Sequence, residues 1–189
     1  MMFLSGMALS PGPTHNLAQY RDKCLKQLKT LNTELEKWRT LLKTGMKTLG
    51  CISEIKREML GQRDNDKLSL TNTESHDDII HLQTLCVELS GICSDLKNVC
   101  ENLDKVAEKL ESLAKLDGDL IKVATAAEVI SKCYRKQSTM NQAIAENVAK
   151  SNCEHTLLLH SAVWIHQPGL GSECFIAEVT VEHVLDILS

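Results

Sequence analysis

The chain is predicted to be all-α: an elongated helical bundle or coiled coil in which two long antiparallel helices precede shorter ones. Three observations predict it. Leu82, Leu89, Leu96, Leu103 and Leu110 stand one heptad apart, beside the rows Ile79-Cys86-Cys93-Cys100-Ala107 and Leu85-Ile92-Val99-Val106-Leu113. Together these rows fill three adjacent heptad positions, a broad apolar stripe that requires a helical partner. Only 3 Pro and 9 Gly interrupt 189 residues, so few points break a helix. The chain is 43% apolar but only 3% aromatic, which is enough for a core and makes that core aliphatic.

Residues 1–15 hold Ser5, Gly6, Ser10, Pro11, Gly12, Pro13 and Thr14 and are expected to form a flexible tail. Ser10-Pro11 is the one Ser/Thr-Pro step, a minimal site for phosphorylation by a proline-directed kinase. The opening Met1-Met2-Phe3-Leu4 lacks a preceding basic residue and a small-residue cleavage site, so no signal peptide is expected. Residues 16–116 are expected to form a long coiled-coil hairpin. Its first helix, 16–60, repeats Cys24, Leu31, Trp38, Ile52 and Met59 in sevens, with Gly45 in the gap, beside Leu28, Leu35, Leu42 and Leu49. Gly45 and Gly50 are soft points where a bend is expected, since Gly costs about 1 kcal/mol against Ala in a helix. The aperiodic stretch 61–75 is expected to be a loop, with Ser75 capping a second helix that runs to Leu116. Asp117-Gly118-Asp119 is a stop signal, with Gly118 as a left-handed cap.

Residues 117–168 are expected to form a helical pair. Thr125-Ala126-Ala127-Glu128 reads as a capping box opening a third helix, which Leu120–Val123 could extend backwards. Ser151-Asn152-Cys153-Glu154 is a second box, opening a fourth helix that Pro168 stops. In 169–189 the spacing of Phe175, Ile176, Val179, Val184, Ile187 and Leu188 suits a short helix. A strand would have no partner.

Charge is uneven. Residues 17–60 carry ten basic and five acidic side chains, and 61–120 carry six and thirteen. The first two helices therefore attract along their flanks, which favours their pairing. The interspersed acids and the scarcity of aromatic rings speak against nucleic-acid binding. No apolar run approaches the ~20 residues of a membrane span.

The residues do not assemble an active site. Cys86, Cys93 and Cys100 lie about 10.5 Å apart along one helix, too far to bond or share an ion, and read as small buried hydrophobes. A parallel homodimer would be the exception. Cys153 with His155 and His160 with His166 lack the further ligands of a zinc site. No phosphate loop, nucleophile elbow or acid/base pair is recognisable, so neither enzyme activity nor a cofactor is expected. Arg39-Thr40-Leu41-Leu42 matches a short cyclin-docking pattern, but such motifs bind extended and this one lies within a helix. Trp164-Ile165-His166-Gln167-Pro168 closes the fourth helix. Its Trp either seals the end of the bundle or anchors a partner.

The last third resembles the cyclin-dependent kinase 2-interacting protein family. Glu128-Val129, Ser131-Lys132, Tyr134-Arg135-Lys136, Val148-Ala149-Lys150 and Trp164-Ile165-His166-Gln167-Pro168 follow the family's order and spacing, and Leu85-Cys86-Val87-Glu88-Leu89 resembles its Leu-Cys-Glu-Glu-Leu stretch. The family's polar connection between the second and third helices is short here, and its basic N-terminal stretch is missing. The resemblance implies a non-enzymatic nuclear adaptor tied to replication kinases, the DNA-damage checkpoint and genome maintenance. It further implies an AAA ATPase complex that acts in ribosome large-subunit maturation and in replication. Tyr134, Arg135, Lys136, Trp164, His166 and Gln167 are the candidate partner-binding residues. The rival expectation is a coiled-coil subunit of a tethering or cytoskeletal complex.

Overall fold

The computed structural model describes residues 13–65 and 76–189. Five helices account for most of them: α1 (Pro13–Asn65), α2 (His76–Ala114), α3 (Ile121–Asn147), α4 (Glu154–His166) and α5 (Gly171–Leu188). Short 3-10 turns, Gly118–Leu120 and Val148–Lys150, precede and follow α3. No strand occurs among the described residues, and no helix there is long and apolar enough to cross a membrane.

The heptad rows become the core. Cys24, Leu31, Trp38, Ile52 and Met59 of α1 are buried, as are Leu89, Leu96, Leu103 and Leu110 of α2. At 53 residues, α1 is about 80 Å long, far beyond what an isolated helix sustains without a packed face. It packs on α2, and α2 packs on α3. Both α4 and α5 touch α1 and α3, so these two short helices occupy the same side of the assembly. One cluster of buried residues, from Cys24 to Val181, draws on all five helices.

Helix ends depart from expectation in instructive ways. The first helix begins at Pro13, inside the expected tail, because Pro suits a first helical position where no N–H donor is needed. It continues to Asn65, into the expected loop. Gln62 and Arg63 are good helix formers, and polarity alone does not end a helix. Gly118 is not a left-handed cap. The chain leaves α2 through a tight turn in which the Leu116 and Asp117 amides both donate to the Leu113 carbonyl (2.9 and 3.0 Å). Asp117 then caps the 3-10 turn, accepting from the Asp119 amide at 3.1 Å.

Neither capping box forms. Thr125 lies inside α3 and donates to the Ile121 carbonyl (2.9 Å), because Leu120–Val123 extends the helix backwards. Ser151 Oγ turns back to the Asn147 carbonyl at 3.5 Å, which leaves Cys153 at the start of α4. In both places the hydroxyl found a carbonyl one turn back before it could reach an amide ahead. Residues 169–189 do contain a helix, α5. Ser10 and Ser75 lie outside the described residues.

Candidate functional site

The closing Trp-Ile-His-Gln-Pro segment and the Tyr-Arg-Lys segment of α3 meet at one place, where the end of α4 and the start of α5 cross α1 and α3. Trp164 is fully buried, and its indole Nε1 donates to the Leu42 carbonyl at 3.1 Å. Its ring fills a notch in α1 made by Gly45. A Cβ at that position would sit 2.9 Å from Trp164 Cε2 and closer still to Cζ2. Gly45 thus receives a neighbouring ring, where the sequence alone suggests a flexible point.

The turn after α4 is fastened twice. Gln167 adopts a left-handed conformation (φ 46°), and its N–H donates to the Val163 carbonyl at 3.1 Å, ending the helix. Its side-chain oxygen accepts from Trp38 Nε1 at 2.8 Å. Gly169 presses on α3 so closely that a Cβ would lie 2.8 Å from the Gln137 nitrogen. The Gly169 amide donates to Gln137 Oε1 at 2.8 Å, while Gln137 Nε2 donates to Asn141 Oδ1, also at 2.8 Å. Gln137 and Asn141 are both fully buried. Both polar atoms of the Gln137 amide are paired, one of them by the turn itself, whereas Asn141 Nδ2 is buried without a partner among the described residues.

Tyr134 adds a second tie. Its ring packs edge-on against Trp38, centroids 4.9 Å apart, and its hydroxyl donates to Glu178 Oε1 of α5 at 2.9 Å. Burial, reinforced by Glu178, holds the phenol protonated well above its ordinary range. Glu178 also faces Arg39 of α1 at 3.5 Å. Arg39, within the cyclin-docking pattern, is therefore committed to ion pairs with Glu36 and Glu178, and the Leu42 carbonyl is committed to Trp164.

The six candidate partner-binding residues divide by exposure. Tyr134 and Trp164 face the core, and Gln167 is half-buried in the turn. Trp164 and Tyr134 are thereby packing residues that no partner can touch in this conformation. Arg135, Lys136 and His166 are exposed. Arg135 pairs with Asp104 of α2, which also accepts from the Ser131 hydroxyl. The residues that complete the cluster, Trp38, Gly45, Gln137, Asn141 and Glu178, were not legible as a site. Gly45 alone left a signal, as the one glycine interrupting an apolar heptad row.

The cysteines are free. Burial pushes the Cys24 and Cys100 thiols up to about 11 and Cys93 to about 12, in keeping with small apolar fillers. Cys86 is only half-buried. Among the described residues no group of three or more His, Cys, Asp or Glu side chains could hold a metal ion.

Scanned against protein-family models, the chain matches none, and no curated protein matches it either.

Proposed function

We propose that this chain is a non-enzymatic nuclear adaptor subunit that joins an AAA ATPase complex, or replication and checkpoint kinases, to their partners through helical surfaces. The reading assigns it to ribosome large-subunit maturation, replication and genome maintenance. One observation carries the adaptor part. Of the twelve large apolar side chains left exposed among the described residues, seven lie on α4 and α5, which span only 13 and 18 residues. Apolar side chains gathered on one side, rather than scattered singly, mark an interaction surface. The resemblance in the last third supplies the nuclear setting and the partner classes.

The same reading takes α1 and α2 as an antiparallel coiled-coil hairpin that carries the later helices. It is supported by Thr48 donating to Glu88 (3.0 Å) and Asn102 donating to Glu34 (3.3 Å), since the lower-numbered residue of α1 meets the higher-numbered residue of α2. Spin labels at positions 37 and 98 should then lie much closer together than labels at 37 and 84.

The test of function is to tag the endogenous protein, purify it gently from nuclear extract and identify what accompanies it. Stoichiometric AAA ATPase subunits are the expected result. Recovery of only tethering or cytoskeletal coiled-coil proteins, or a purely cytoplasmic distribution, would overturn the reading.

A further inference from the structure

Helix α5 buries Cys174, Ala177 and Val181 against α1 and α3. Its opposite face is apolar as well. Phe175, Ile176 and Ile187 are 67%, 65% and 68% exposed, and Val179 is 46% exposed. At 100° per residue, Phe175, Ile176, Val179, His183 and Ile187 fall on one outward arc of the helix. A surface helix ordinarily turns charged residues outward, so this face departs from the amphipathic pattern.

The edges of the arc carry charge of one sign. Glu182 borders it on the Phe175 side and Glu173 on the other, while Asp186 falls within it, between Phe175 and Val179; all three are exposed. Glu182 and Asp186 make no ion pair among the described residues. The last Lys or Arg in the sequence is Lys150, so neither α4 nor α5 contributes a basic side chain other than histidine. An apolar stripe between acidic edges complements an amphipathic helix whose own stripe is edged by Lys and Arg.

Other occupants fit poorly. A second copy would oppose acidic edge to acidic edge. The basic helix of this chain, α1, already has its apolar face buried on the rest of the core. An anionic membrane surface attracts basic segments and repels an acidic one.

We infer that the outer face of α5 is a docking site for a basic amphipathic helix of a partner protein, with Phe175, Ile176, Val179 and Ile187 as apolar contacts, Glu173 and Glu182 as the selective edges, and Asp186 as a further carboxylate within the face. This rests on the adaptor reading and specifies the kind of segment the adaptor would bind.

The test uses the full chain and two fluorescent helical peptides about as long as α5, with Leu at the same i, i+3, i+4, i+7 positions and either Lys or Glu elsewhere. Anisotropy titration should show saturable binding of the Lys peptide, at least about tenfold tighter than the Glu peptide and weakened by salt. Phe175→Asp and Ile176→Asp should each weaken the Lys peptide about tenfold while leaving the melting temperature unchanged, because both side chains are exposed. Simple charge attraction predicts the opposite sign, since each variant adds a negative charge. The double variant Glu182→Lys with Asp186→Lys should shift the preference toward the Glu peptide.

Equal binding of both peptides overturns the proposal. So does binding of the Lys peptide that Phe175→Asp and Ile176→Asp leave intact. A dimer detected by light scattering and dissolved by Phe175→Asp overturns it in favour of a second copy. If Ile176→Asp recovers the same nuclear partners as the unaltered protein, this surface falls while the adaptor reading stands. If no partner is recovered yet the Lys peptide binds through Ile176, the adaptor reading falls and the surface stands.

Discussion

Two glycines of the long helices separate packing from propensity. Gly91 of α2 has open space where a Cβ would go, whereas Gly45 of α1 has the Trp164 ring there. Gly91→Ala should raise stability by roughly 0.5–1 kcal/mol through helix propensity. Gly45→Ala gains the same propensity but must displace a fully buried indole, so a net loss of about 1–2 kcal/mol is expected. Thermal melts of the two variants check both signs. Truncating the ring itself, Trp164→Ala, should cost about 3–5 kcal/mol and remove the indole donor from the Leu42 carbonyl. The cysteines provide a second residue-level test. Cys51 and Cys153 are exposed, and hydrogen bonds from Thr156 lower the Cys153 thiol below its ordinary value. Cys24, Cys93, Cys100, Cys133 and Cys174 are buried. Iodoacetamide at neutral pH should therefore label Cys153 first and Cys51 next, with the five buried thiols modified only after unfolding, as read by peptide mass spectrometry.

At the scale of elements, α4 and α5 bury Leu157, Trp164, Cys174, Ala177 and Val181 in the shared core, and polar contacts fasten the turn that joins them. The turn between them hangs on Gln137, on the Trp38–Gln167 bond and on the close approach of Gly169 to α3. Gln137→Leu should orphan the Gly169 amide and the Asn141 oxygen, costing roughly 1–3 kcal/mol. The loss should be local. Proteolysis near residues 167–170 is expected to quicken, while hydrogen exchange in α1 and α2 stays slow. Equal exchange loss in all helices would show instead that the molecule unfolds as one unit. The same cluster explains how much of the candidate site could be read in the sequence. The residues of the closing segment stood out, but their roles did not. A Trp at a helix end serves as a core plug or a partner anchor with the same neighbours in sequence. Only the Gly45 notch, 119 positions away, made it a plug.

Across the whole molecule, the buried thiols predict a response to alkali. Cys24, Cys93 and Cys100 are held neutral by burial, with values of about 11 to 12 against an ordinary value near 9. A raised folded value binds its proton more tightly than the unfolded chain does. The resulting stability is whole below about pH 8.5 and is lost as pH rises toward those folded values. Melting temperature measured under reducing conditions should thus fall steadily above about pH 9. Replacing the three thiols with Ala should flatten that slope, though at lower stability throughout. Burial of His160 lowers its value and acts at the other end, removing stability as pH drops below about 6.5.

The helical class, the long first and second helices and most of their inward faces follow from the sequence by itself, because a seven-residue apolar repeat leaves a helix only one face to bury. Leu89, Leu96, Leu103 and Leu110 are buried as that repeat requires. Tertiary structure decided what no local pattern could. It decided where helices end, since Thr125 and Ser151 had two sets of backbone partners within reach. It placed the polar residues Gln137 and Asn141 in the core, because the turn before α5 satisfies the Gln137 amide. It also decided which of two apolar faces on α5 meets α1 and α3 and which stays uncovered. Periodicity records that a face is apolar; only the positions of the neighbouring helices determine whether the chain itself covers it.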